Sequence, residues 1–273
     1  MLIDNEYDRP GWKCQFIAGK KMIIQIYEIQ TPHEAEQMIR EGVDHIGSVL
    51  VSEEDWKKPL VYDTIRLIGD SPSKSSLIPL FNNRDSVFRA LDYYQPDMVH
   101  FCENLCEPQQ PSGMLQHLMD LQHQVRERFP SIRMIRSIPI PEPGKGKAFS
   151  IWEMAGLFED ISDFFLTDTL LGSVAGNAGT EQPVEGFVGI TGRICDWGPA
   201  RELVEKSRIP VILAGGLSPE NVLQGIVRVK PAGVDSCTGT NLQDADGKPV
   251  RFRKDMDRVR DFVGKVRSLE KTK

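Results

Sequence analysis

The chain has 273 residues, 40% of them hydrophobic and 26% charged, and a formal net charge of −6. That composition excludes a disordered or membrane-embedded chain, and the acidic balance argues against a general nucleic-acid or membrane-surface binder. Cys14, Cys102, Cys106, Cys195 and Cys237 are odd in number and irregular in spacing, so neither a disulfide framework nor a structural zinc site is expected.

Residues 1–21 are charged, contain Pro10 and Gly11, and lack the apolar run of a signal peptide. They are read as an N-terminal extension that covers the base of the fold or meets a partner. From residue 22 onward, short apolar or β-branched runs alternate with amphipathic stretches. Met22–Ile29 leads into Pro32–Arg40, whose start carries a capping box in Thr31-Pro32-His33-Glu34. His45–Val51 precedes Leu60–Ile68, Leu77–Phe81 precedes Ser86–Tyr93, and Met98–Cys102 precedes Gly113–Phe129. Arg133–Ile138 is followed by Phe149–Phe158. Phe164–Thr167 opens onto a long connection, residues 169–196, rich in glycine and read either as a lid or as a disordered excursion. Trp197–Lys206, Ile209–Ala214, Pro219–Val227, Gly233–Cys237 and Asp255–Val266 complete the series. Eight strand–helix units without a linker predict one domain over residues 22–273, a (β/α)₈ TIM barrel of the α/β class. A doubly wound open sheet is the alternative. The basic stretch from Lys248 is read as a solvated last helix, and Asp244, Asp246 and Gly247 as an acidic turn.

The last quarter of the barrel carries the clearest chemistry. Pro210–Leu217 reads as a buried strand ending in Gly215 and Gly216, and Gly233–Gly239 as another ending in small polar residues. Loops after the seventh and eighth strands of such barrels commonly cradle a phosphate. Glycine lets backbone approach an anion, and free N–H groups at a helix start point toward it. Two ordinary turns needing positive φ are the structural alternative. Gly215, Gly216, Thr238 and Gly239 are therefore the candidate phosphate-binding residues, for a phosphorylated small molecule. No cofactor, metal, nucleic acid or membrane partner is implied. A cytoplasmic monomer or homodimer is expected.

These residues carry a family resemblance. "PVILAGGLSPENV" followed by "GVDSCTG" resembles the corresponding stretch of phosphoribosylanthranilate isomerase, an enzyme of tryptophan biosynthesis. Gly189–Trp197 is similar to that family's G-G-T-G-x-x-x-D-W, and Gln25–Pro32 to its K-I-C-G-I-T-x-P. The resemblance implies an isomerisation of an aminoaldose phosphate to an aminoketose, with one acid and one base. It implies that Asp168, at the end of the sixth strand, is the acid, and that Thr191, Gly192 and Asp235 contact substrate. The family's basic cysteine is replaced by Tyr27, with Glu28 beside it, and strand alternation sends those two side chains to opposite faces. Where the family reads V-Q-L-H-G, this chain reads Val99-His100-Phe101-Cys102-Glu103. Glu103 and Cys102 are thus substitute base candidates, Arg136 a cation for thiolate or substrate, and His100 a satisfied barrel histidine. Trp56, flanked by Lys57 and Lys58, stands where the family has an arginine near the substrate carboxylate. A barrel that keeps the phosphate site but has lost catalysis is a second reading. A different enzyme of the phosphate-binding barrels is a third, since the tail after Gly239 is similar to the end of the BtpA photosystem-assembly family.

Overall fold

The computed structural model describes residues 21–106, 113–145, 151–171 and 182–270. The N-terminal extension, Cys14 and the centre of the glycine-rich connection lie outside the described residues. Eight parallel strands close into a barrel: β1 (Ile23–Ile26), β2 (His45–Leu50), β3 (Lys74–Pro79), β4 (Met98–Phe101), β5 (Arg133–Pro141), β6 (Phe164–Leu170), β7 (Val211–Leu213) and β8 (Gly233–Ser236). Closure is made by β1 against β8, with Gln25 level with Asp235 and Ile26 with Ser236. Around it stand α1 (Pro32–Glu41), α2 (Pro59–Gly69), α3 (Arg84–Tyr94), α4 (Met114–Arg128), α5 (Ile151–Phe158), α6 (Trp197–Lys206), α7 (Val222–Val229) and α8 (Met256–Glu270). The order is that of a TIM barrel, as expected.

Local chemistry sets the helix limits. Thr31 accepts a hydrogen bond from the Glu34 N–H, and the Glu34 carboxylate reaches back to the Gln30 N–H, so the first turn of α1 is capped from both sides. Asp196 caps α6 by accepting from the Gly198 N–H. The strands are buried on both faces, as parallel barrel strands must be. One core fills the lumen, from Tyr27, Val49, Ile78, Met98, Ile135, Leu166 and Ile212. Two larger clusters fill the layer between strands and helices.

The stretch from Lys248 corrects the sequence reading. It begins as a strand, β10 (Pro249–Lys254), which pairs antiparallel with β9 (Asn241–Gln243) before α8 begins. Asp244 makes the turn of this hairpin, accepting from the N–H groups of Asp246 and Lys248. Val250 and Phe252 alternate with Arg251 and Arg253, which is the two-residue period of a strand.

Candidate active site

β5 and β6 are the longest barrel strands, and their pairing continues from Ile135 opposite Phe164 to Pro141 opposite Leu170. This overlength carries Asp168 to the carboxyl rim. There Asp168 lines a cleft with Ile190, Thr191, Gly192, Gly215, Gly216, Leu217, Asp235, Cys237 and Thr238. The turns after β7 and β8 therefore meet at one cleft. Gly215 and Gly216 have φ of 88° and 62°, values that disfavour a side chain. A Cβ at Gly216 would also strike the backbone of Arg193. The connection after β6 thus lies directly on the glycine turn.

The same connection is tied down across the mouth. The Val188 N–H donates to the Cys102 carbonyl and the Asn104 N–H to the Gly186 carbonyl, each at 2.8 Å. Phe187 bridges to Glu103, and Val184, Phe187 and Phe252 cover the lumen core. The cleft beneath has room for about 30 Å³.

Two carboxyls face the cleft, Asp235 buried and Asp168 half-buried. Burial pushes Asp168 up to about 7, against one stabilising hydrogen bond from the Thr169 N–H. Burial pushes Asp235 up to about 8, and the nearby Asp168 adds to the rise. Asp235 accepts from Gln25 Nε2 at 3.1 Å, and Gln25 Oε1 lies 3.1 Å from His45 Nδ1. Burial lowers His45 to about 4, so its ring is neutral and donates to that amide oxygen. Among the described residues, no cluster of His, Cys, Asp and Glu suits a metal ion.

Comparison with known proteins matches this architecture. The family model for N-(5'-phosphoribosyl)anthranilate isomerase matches residues 167–263, the part of the chain that builds the cleft. The enzyme of that name from Methanocella arvoryzae is 30% identical over 247 residues, 89% of this chain and 97% of the relative. This chain belongs to the phosphoribosylanthranilate isomerase family. The Methanothrix thermoacetophila isomerase is 27% identical, covering 90% of this chain and 99% of its own. The solved isomerase structure from Pyrococcus furiosus shares the fold, with a TM-score of 0.60 at 22% identity over 90% of this chain and 99% of that one.

The structure brings Asp168, Thr191, Gly192, Gly215, Gly216, Asp235 and Thr238 into one cleft. Gly239 sits just behind it, because a Cβ there would collide with the Leu217 carbonyl. The substitutes for the family cysteine are placed elsewhere. The Tyr27 ring fills the lumen over Gly47, where any Cβ would overlap it. Its hydroxyl bonds Ser76 Oγ at 2.7 Å and His100 Nδ1 at 2.9 Å, and His100 Nε2 meets Ser137 Oγ at 2.8 Å. Burial raises the Tyr27 phenol well above its usual range. His100 is the satisfied barrel histidine that the sequence suggests. Cys102 is also sealed in the lumen, its thiol pushed up by burial and by the Glu103 charge.

Glu28 turns away from the lumen at φ 64°, and its carboxylate is held by Arg251, Asn241 Nδ2 and the Phe252 N–H. Burial alone would raise it, but the charges of Lys254 and Arg251 and these hydrogen bonds hold it below the usual carboxylate range. Glu103 and Arg136 pair with each other at 2.5 Å. They do so on the helix side of the barrel, where Arg136 also donates to Gln122 and lies against Phe101 and Phe158. Neither faces the cleft. Parity along the strand gives the reason: Ile135 and Ser137 point inward, so Arg136 points outward. Trp56 packs edge-on against Tyr93 and Tyr94 under Arg89, while Lys57 lies over Tyr93 and Lys58 pairs with Asp55.

Proposed function

We propose that this protein isomerises N-(5'-phosphoribosyl)anthranilate from its aminoaldose to its aminoketose form, in tryptophan biosynthesis. One observation carries the reading: the acid position of the family, Asp168, shares a cleft with the glycine turns after β7 and β8. The phosphate is held at Gly215, Gly216 and Thr238, with Thr191 and Gly192 closing over the sugar. Glycine at 215 and 216 permits close approach of backbone to the anion. Asp168 gives its proton to the ring oxygen as the ring opens. Burial supports that role, because a carboxyl raised to about 7 still carries a proton near neutral pH.

The opposing reading is a barrel that binds the phosphate ligand without turning it over, and Tyr27 is the observation that favours it. A phenol locked between Ser76 and His100 is no base. Turnover of the purified protein, followed by loss of substrate fluorescence, separates the two. The isomerase reading expects turnover and rescue of a tryptophan auxotroph that lacks the enzyme. It also expects Asp168→Asn to abolish turnover while inorganic phosphate binds as before. Thermal stabilisation by millimolar phosphate without any turnover would favour the binding barrel.

A further inference from the structure

We propose that Asp235 is the general base of the isomerisation, acting across the cleft from Asp168, and that Gln25 positions it. This rests on the isomerase reading and supplies the base that the family cysteine would otherwise provide.

Among the described residues, three titratable side chains line the cleft: Asp168, Asp235 and Cys237. The Cys237 thiol is kept protonated by burial and by the Glu28 charge. Tyr27 and Cys102 are sealed in the lumen, Glu28 is held by the β9–β10 hairpin, and Glu103 is paired on the helix side. Asp168 is the acid. That leaves Asp235.

Its placement fits the task. Asp235 is level with Gln25 on β1, so it faces the lumen beside the strand on which the family carries its base. Gln25 stands where the family motif has a lysine. An ammonium there would hold Asp235 as an ion-paired and weakly basic anion. An amide gives it one neutral hydrogen bond and leaves it a stronger base. His45 fixes the amide by donating to Gln25 Oε1, which turns the Gln25 NH₂ toward the carboxylate. Other charged or titratable groups facing Asp235 are Asp168 on β6, Tyr27 just after β1, Cys237 just after β8 and Lys254 on β10. The Lys254 ammonium is engaged by the Cys237 carbonyl and Asn241 Oδ1.

The reactive form carries one proton on the pair, on Asp168, with Asp235 ionised. Burial raises both carboxyls, so this form gains population as pH rises through about 7 to 8. The protons then balance within the pair. Asp168 protonates the ring oxygen, and the C1–O bond breaks as the nitrogen lone pair forms C=N. Asp235 takes the proton from C2. The C–H pair becomes the C1=C2 bond, and the C=N pair returns to nitrogen. Asp235 then delivers its proton to C1 as the C2 hydroxyl releases one to Asp168, which leaves a ketone and restores both carboxyls.

The test is the pH dependence of kcat/KM for wild type, Asp235→Asn and Gln25→Lys, with melting and inorganic-phosphate inhibition as checks on folding and binding. For Asp235→Asn the expected loss in kcat is about 10²- to 10⁴-fold, with phosphate inhibition unchanged. Gln25→Lys should shift the acidic limb of the profile to lower pH by about one unit or more, because the ammonium stabilises the anion. A merely structural role for Asp235 would not move that limb, and this variant decides the matter if Asp235→Asn fails to fold. An acidic limb unmoved in Gln25→Lys, or Asp235→Asn turnover within threefold of wild type, overturns the assignment while the isomerase reading stands. Absence of wild-type turnover overturns both.

Discussion

At Gly189 the backbone has φ 108°, and a Cβ would collide with the Asp168 carboxylate. The connection after β6 can cover the acid only because this residue has no side chain. Gly189→Ala is expected to lower kcat about 10- to 100-fold by displacing either the cover or Asp168, since a misplacement of about 1 Å can cost 10²-fold. Steady-state kinetics with a circular-dichroism check on folding would test it, and unchanged kcat would mean that the cover leaves Asp168 undisturbed. The Glu103–Arg136 pair behaves differently. It is buried, and Glu103 Oε1 and Arg136 Nη2 have no partner there. Glu103→Gln should destabilise the fold by about 3 kcal/mol in urea unfolding, because it leaves a buried guanidinium uncompensated. Its kcat should stay within about twofold of wild type; a large selective loss would return Glu103 to the chemistry. The sequence contained the means to see this. His100 and Cys102 share one face of β4, so Phe101 and Glu103 share the other, and the same parity sends Arg136 outward.

The eight barrel strands and eight helices were legible because each is a buried run or an amphipathic stripe, with a side-chain cap at the start of α1, α3 and α6. The β9–β10 hairpin was not. Its second strand is short and basic, and its charge suggests a solvated helix unless the two-residue alternation around Phe252 is counted. The anchor was also hidden, because Glu28 is 213 residues from Asn241 and 223 from Arg251. Two non-glycine residues with positive φ, Glu28 and Phe252, meet there through the Phe252 N–H. A backbone of that kind persists only where its surroundings fix it. Glu28→Gln should therefore loosen the hairpin, with faster amide exchange over residues 241–254 and a stability loss of about 1–3 kcal/mol, below that of a fully buried pair because Arg251 is 35% exposed. The sign with pH follows from the lowered folded-state value. The contribution is complete above the ordinary glutamate range and is lost as acid protonates Glu28. Exchange rates equal to wild type at pH 7 would show that the hairpin is held by other contacts.

Over the whole molecule, the last third of the sequence revealed the cleft because its motifs sit on consecutive turns. The middle did not, because its polar residues are divided between lumen and helix layer by a parity that composition cannot display. That division gives the protein a distinctive pH response. Asp168 and Asp235 have folded values of about 7 and 8, against about 3.9 unfolded, so the folded state keeps protons that the unfolded chain has lost. Each makes stability fall as pH rises toward its folded value. His45 and His100 are held neutral by burial, at about 4 and about 3, against about 6.5 unfolded. Each makes stability rise with pH until about 6.5 and contributes nothing further above it. Two opposing pairs nearly cancel between about pH 4.5 and 6.5. Above 6.5 the aspartates act alone. Scanning calorimetry should therefore show a plateau in Tm that gives way to a fall between pH 6.5 and 8.5. The double variant Asp168→Asn, Asp235→Asn should abolish the fall and melt higher than wild type at pH 8, while losing turnover. That is the trade expected where catalytic carboxyls are held out of water. A wild-type Tm that climbs through the same window would show that the two carboxyls ionise freely, and neither would then be poised for proton transfer.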